Sequence, residues 1–198
     1  MPALRAAKER AHMAMCMNNL HQIGLAVSLY GETYDAYPLA FSSVTFNYFW
    51  ADLNRTLQVT NGTSKVFECP TNPGGSIGYG PNLRLFAWWQ SASPNIYRPL
   101  LSSPQSYYPR KFPLTERPAE VMTVADSTSI LYLEQSPEMW SYYTSATANT
   151  LVASPDYPLG ISWRHMFGER ANFLFADGHV ETVTRDKFYA RSLILSVP

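Results

Sequence analysis

The sequence predicts an α+β chain: one long N-terminal helix followed by short strands that end in a hairpin. Three stretches predict it. Ala7, Ala11, Ala14, Met17, Leu20, Ile23, Val27, Tyr30 and Tyr34 recur three and four residues apart, the period of one helix face. Val121-Met122-Thr123-Val124-Ala125 is a β-branched, apolar run closed by Asp126-Ser127. Ala171 to Ala176 is an apolar, aromatic run that meets Asp177-Gly178, a pair suited to a tight hairpin because glycine reaches positive φ freely. Val180, Thr182 and Thr184 then alternate with Glu181, Val183 and Arg185, as on a returning strand.

The elements follow in order. Residues 3 to about 34 form the helix, rich in Ala, Met, Leu, Glu, Lys and Arg in its first half. That half holds few large apolar residues before Met13, so it projects from the body or packs weakly. Tyr30-Gly31 to Asp35 ends the helix, and Pro38 cannot continue it. Ala51 to Val59 is a second helix, stopped by Asn61-Gly62. Val66 to Pro70 is read as a short strand stopped by its proline. Residues 71–81 are a Gly- and Pro-rich loop, and residues 82–89 fit a strand or a short helix. Ile130 to Leu133 is a further short strand within long Ser-, Pro- and Tyr-rich connections, and residues 185–195 form a terminal helix or strand. Packing is expected between Leu20, Ile23, Val27 and Tyr30 on the helix and Phe173, Phe175 and Val180 on the hairpin.

Composition narrows the function classes. The 198 residues carry 15% charged side chains, well below the roughly 25% of an average soluble domain. The 13 Tyr, 5 Trp and 15 Pro, with Ser and Thr, fit an extracytoplasmic β-rich surface. A net charge of zero gives no field to steer the chain toward nucleic acid. No run of 18 apolar residues is present to span a membrane. The glycine-rich loop lacks the Lys-Ser/Thr ending that cradles phosphates, and no Gly-x-Ser-x-Gly elbow supports a hydrolytic triad. Cys16 and Cys69 read either as two buried thiols or as a disulfide in an oxidising compartment.

The residues with chemistry to offer are His165, Asp177 and His179, with Asp126 as a further carboxylate. Imidazole and carboxylate are zinc ligands, and Asp177 and His179, two apart, share one face of a strand. A hairpin already accounts for Asp177, whose side chain caps such a turn, and neither His-Glu-x-x-His nor Cys-x-x-Cys occurs. Calcium held by Asp126 or Asp177 with loop carbonyls fits better than catalytic zinc. Trp88, Trp89 and Trp140 fit core packing better than a glycan-stacking platform.

Several blocks, in order, resemble the prepilin-type proteins that carry the H-X9-DG domain. Cys16-Met17-Asn18-Asn19-Leu20-His21-Gln22-Ile23-Gly24-Leu25-Ala26 is similar to that family's helix, leading to Tyr34-Asp35-Ala36-Tyr37-Pro38. Phe67-Glu68-Cys69-Pro70 with Gly78-Tyr79-Gly80-Pro81-Asn82 resembles its Cys-Pro loop and the Tyr-Gly-x-Asn that follows. Arg117-Pro118-Ala119-Glu120-Val121 with Ala125-Asp126-Ser127 resembles its internal strand. Arg164-His165 through Asp177-Gly178-His179-Val180-Glu181 resembles the motif that names it, although eleven residues, 166–176, stand between His165 and Asp177 rather than nine.

The resemblance implies a pilin-like fold with a helix at residues 1–35 and a head at 36–198, its signature hairpin at 164–183. It implies that His165, Asp177, Gly178, His179, Asn18, Asn19 and Leu20 are structural residues and that Cys16 and Cys69 staple helix to loop. It implies a non-catalytic subunit of a pseudopilus or type IV pilus-like fibre in a type II secretion-like system, without a cofactor unless calcium binds. Partners would be other pilin-like subunits through the N-terminal helix, secretion-system components, and the membrane through a preceding segment that this chain lacks. The setting would be the cell envelope, inner-membrane anchored with a periplasmic or extracellular head. Family members begin with a basic leader and an apolar helix, so the chain reads as a soluble version without its membrane half. The alternatives are a glycan- or envelope-protein-binding module on the same body and, behind it, a metal-dependent enzyme.

Overall fold

The computed structural model describes residues 2–42, 47–57, 64–71, 78–86, 88–89, 111–113, 117–127 and 161–190. The strand expected at Ile130–Leu133 and the long connections around it lie outside the described residues. The observed class is α+β: a long N-terminal helix lies on an antiparallel four-stranded sheet.

Helix α1 runs from Pro2 to Tyr34, about 50 Å at 1.5 Å per residue. It ends where Asp35 turns left-handed, φ 54°, a conformation that Asp tolerates better than most residues. The Asp35 N–H still donates to the Gly31 carbonyl at 2.8 Å. Gly31 is required there by packing, because a Cβ would overlap the Phe112 ring. Residues 3–15 contain no buried side chain, whereas Cys16, Leu20, Ile23, Ala26 and Val27 are buried. The weakly packed first half therefore follows from its Ala-rich, charged composition. One of its contacts is the Arg5 guanidinium over the Phe167 ring, 5.0 Å from the centroid.

Two small strands, β1 (Phe41–Ser42) and β2 (Asn47–Tyr48), lead into α2 (Phe49–Thr56). This helix starts two residues before the expected position. The expected strand at 66–70 is instead a single 3-10 turn, Lys65–Phe67, followed by a bridge residue at Glu68. Its cause is local: the Ser64 hydroxyl accepts from the Val66 N–H at 3.3 Å, which curls the chain before it can extend. Next come β3 (Tyr79–Pro81), α3 (Leu83–Phe86) and β4 (Trp88–Trp89), so residues 82–89 supply both a short helix and a strand. β4 pairs with β1, and β2 completes this second, three-stranded sheet.

The main sheet has the order β3-β5-β6-β7, with β5 at Met122–Asp126, β6 at Arg170–Phe175 and β7 at Val180–Thr184. Helix α4 (Arg185–Ala190) closes the described chain. Both faces of the sheet are covered. On one, Leu174, Val121 and Val124 pack with α1, α2, α3 and the partly buried Val180. On the other, Phe173, Phe175, Ala171, Met122 and Ala125 pack with Trp163 and with Phe188 of α4.

This corrects the expected partners of α1. Leu174, not Phe173 or Phe175, meets the helix, with its Cδ1 3.0 Å from where a Cβ on Gly24 would lie. Alternation forces the result: if Leu174 and Val180 face α1, the phenylalanines on either side of Leu174 must face away. A register shift between Met122 and Val124 leaves Thr123 as a bulge. The bulge explains why Met122 and Ala125, three apart, share one face.

Candidate functional site

The strongest cluster of chemistry-bearing groups lies where α1 crosses the end of β5. Asp126 is the last residue of β5, and below the bulge its side chain points toward α1. His165 precedes β6 and pairs with Arg170 across a tight turn. Its carbonyl accepts the N–H groups of Gly168, Glu169 and Arg170 at 3.2, 3.1 and 3.1 Å. Closing that turn puts Met166, Phe167 and Gly168 at φ 48°, 64° and 92°. For the two non-glycine residues this costs roughly 1–2 kcal/mol each, so packing around His165 over-determines the turn.

The two side chains meet in the interior. His165 Nε2 lies 3.0 Å from Asp126 Oδ2, and both side chains are fully buried. The same Oδ2 accepts the Asn172 backbone N–H at 2.6 Å. Asp126 Oδ1 and His165 Nδ1 have no hydrogen-bond partner among the described residues. A buried carboxylate that loses its imidazole is expected to cost about 3–5 kcal/mol, so this pair is a structural element whatever else it does.

Cys16 and Cys69 are joined as a disulfide beside this pair, with Cα atoms 5.6 Å apart, inside the range that a disulfide spans without moving backbone. The bond ties α1 to the Cys-Pro loop. Cys69 Sγ lies 4.0 Å from His165 Nε2. One ligand-type atom from each of Cys16, Cys69, Asp126 and His165 lies within 4.8 Å of the others, and all four residues are buried. Polar groups frame the cluster. Asn19 Nδ2 donates to the Glu68 carbonyl at 3.0 Å and to the Tyr79 hydroxyl at 3.2 Å. Burial, and then the nearby Asp126 carboxylate, push the Tyr79 phenol upward, so it stays neutral. The Arg164 guanidinium donates to the Ser162 hydroxyl at 2.9 Å and to the Ser127 carbonyl.

The structure does not bring His165 to Asp177 or His179. They sit at opposite ends of β6, about 17 Å apart along a six-residue strand. Asp177 and Gly178 form the β6–β7 turn, with Gly178 at φ 89°. Asp177 Oδ1 accepts the His179 backbone N–H at 3.1 Å and meets His179 Nδ1 at 2.6 Å. The His179 ring stacks on Phe175 with centroids 4.3 Å apart. Asp177 thus holds an exposed turn, as its place in the hairpin implies, and the candidate metal set of His165, Asp177 and His179 does not assemble: His165 pairs with Asp126, and Asp177 with His179. Of the expected carboxylate ligands, Asp126 stands in the buried cluster and Asp177 does not. Within the Asn-Asn-Leu block, Asn18 is exposed, Asn19 bridges to the loop, and Leu20 is core. Sequence reading missed Tyr79 and Asn172 as partners. Only the β3–β5–β6 pairing, which has no local signal, brings them in.

A second feature lies on the outside of α1. Leu4, Met15, Leu25 and Leu29 are 69%, 54%, 66% and 51% exposed. At 100° per residue they fall within about 80° of one another around the helix axis. Cys16, Leu20, Ile23 and Val27 occupy the opposite side. The helix therefore packs one apolar side against the sheet and shows a second row of apolar residues outward, which Asn18 and Gln22 interrupt between Met15 and Leu25. No described helix is long and apolar enough to cross a membrane.

Residues 5–54, which take in most of α1 and α2, match the model of a family described as a protein of unknown function (DUF1559). No curated protein matches the chain, and no solved structure does.

Proposed function

We infer that this chain is a non-catalytic subunit of a pilin-like fibre, assembling through the outer stripe of α1 against the α1 helices of neighbouring copies. One observation carries the reading. A helix of 33 residues uses only its second half to build the core, while its outward side presents Leu4, Met15, Leu25 and Leu29 to solvent. A monomer gains nothing from that stripe, since exposed apolar area of this kind stabilises only when covered. The family match falls on the same helix, and the α+β arrangement is the one that the prepilin resemblance implies.

On this reading the disulfide and the Asn19 bridge hold α1 on its head while neighbouring helices pull on it. The fibre is a type II secretion-like pseudopilus or type IV pilus-like assembly in the cell envelope. On the same reading a membrane-anchoring helix precedes α1, as the resemblance implies, and secretion-system components are further partners. The Trp140-centred loops that would form a glycan platform lie outside the described residues, and no described observation favours that reading.

Replacing both Leu25 and Leu29 by Ser in the full-length protein tests the proposal in cells of the source organism. Mechanical shearing of wild-type cells should release a filamentous fraction containing the chain. The variant should fold, with an unchanged melting temperature, and be missing from that fraction. Equal recovery of wild type and variant would rule out the stripe as the assembly surface.

A further inference from the structure

We propose that Cys16, Cys69, His165 and Asp126 form a zinc site when the disulfide is reduced, so that the same two positions are cross-linked by sulfur in one redox state and by metal in the other. The inference rests on the buried cluster alone and is independent of the fibre reading.

The donor set is that of a structural zinc site: two thiolates, one imidazole nitrogen and one carboxylate oxygen. Their ligand atoms already lie within 4.8 Å of one another. They come from four separate places: α1, the Cys-Pro loop, the end of β5 and the turn before β6. Each place is held by contacts that do not depend on the sulfur bond. Leu20 and Ile23 seat α1 on the sheet, Asn19 grips the loop at Glu68, and the β5–β6 ladder sets Asp126 beside His165. Reduction therefore leaves the four donors facing a common centre.

The polar atoms point the same way. Asp126 Oδ1 is buried and makes no hydrogen bond among the described residues, so it has lone pairs to offer. His165 Nε2 lies between Asp126 Oδ2 at 3.0 Å and Cys69 Sγ at 4.0 Å, and so already faces the site. Charge also fits. Two thiolates and a carboxylate are three anionic donors, too many to bury uncompensated. A dication offsets two of them. The Arg164 guanidinium, which lies so near Cys69 that a Cβ on Gly78 would meet both, offsets the third.

A dithiol reductant supplies two electrons and two protons, the Cys16–Cys69 bond breaks to two thiols, and the reductant becomes a disulfide. Zinc then displaces the two thiol protons, which pass to solvent, and binds both sulfurs, while the Nε2 proton that His165 shares with Asp126 moves to the ring's unpartnered Nδ1 and leaves Nε2 free to ligate. The mixed donor set favours a borderline-soft ion such as zinc over calcium, which takes oxygen ligands.

The test uses the wild-type chain in two forms, air-oxidised and produced under reductant without oxygen, each freed of metal and dialysed against zinc or cobalt. The reduced form should retain one zinc per chain, and its cobalt form should show thiolate-to-cobalt charge transfer with tetrahedral ligand-field bands. The oxidised form should retain none. Zinc should raise the melting temperature of the reduced form only. Asp126→Asn and His165→Gln, close in size to the native residues, should each weaken zinc binding at least tenfold. If the reduced chain folds only with metal, zinc should rescue it where magnesium does not. The proposal fails if the reduced chain takes up no zinc and is not rescued by it. It fails equally if oxidised and reduced forms bind alike, or if neither substitution changes affinity.

Discussion

Breaking the Cys16–Cys69 bond in the absence of metal should remove a large part of this protein's stability. The two cysteines are 53 residues apart in sequence. Closing a loop of that length withdraws roughly 14 cal/mol/K from the unfolded chain, or about 4 kcal/mol at room temperature, in the chain-entropy treatment. For a chain of this size the loss corresponds to a fall of about 10 °C in melting temperature. The native state should change little, because the buried side chains around the sulfurs are held by the sheet and by Asn19. The assay is thermal unfolding by circular dichroism, oxidised against reduced, both with chelator present. Cys16→Ala/Cys69→Ala serves as a permanently open control and should melt near the reduced form. A loss under about 1 kcal/mol would refute the reasoning, since the bond would then be closing a loop that other contacts already close in the unfolded chain.

Three further outcomes follow from particular contacts. Gly31→Ala should cost about 1–3 kcal/mol by overpacking, because its methyl overlaps Phe112; urea unfolding reads the change, and a neutral result would place Phe112 elsewhere. Asn19→Ala should cost about 1–3 kcal/mol by leaving the Glu68 carbonyl and Tyr79 hydroxyl short of a donor, measured by the same method. Tyr79 gives a pH signature. Its folded pKa is raised above the ordinary value of 10.0, so its contribution is fully present below pH 10 and is lost as pH rises above it, when the unfolded state alone ionises. Tyr79→Phe should therefore flatten the alkaline limb of stability against pH, and an unchanged limb would show that Tyr79 titrates normally.

Much of the fold could be read from residue pattern. The helix announced itself through its three- and four-residue spacing and the Pro38 stop. The hairpin did so through Asp177-Gly178, which needs positive φ. The face that β6 turns to α1 was hidden, because residues 171–175 are all buried. An apolar run covered on both sides has no polar alternation to reveal which side meets which partner. The outward apolar stripe of α1 was masked for a related reason, since two opposite stripes leave a helix with no single apolar face.

The candidate site was legible only in pieces. Cys16, Cys69, His165 and Asp126 were all recognisable as reactive types. Their meeting depends on the β5–β6 register and the Thr123 bulge, both long-range properties. Sequence proximity groups His165 with Asp177 and His179, which β6 carries to the far end of the strand.

The central claim is that α1 meets another α1 through its outer stripe, and cysteine cross-linking tests it most directly. Neighbours in a fibre meet head to tail, so different residues of the outer side face each other. With Cys16 and Cys69 bonded to each other, two added cysteines, Leu4→Cys or Met15→Cys together with Leu25→Cys or Leu29→Cys, lie too far apart to bond within one helix. Mild oxidation of cells carrying these paired variants should give disulfide-linked multimers on non-reducing gels for at least one pair. Leu25→Cys with Lys187→Cys on the exposed side of α4 should give none. Monomers for every pair, or equal multimers for all of them, would contradict assembly through the helix.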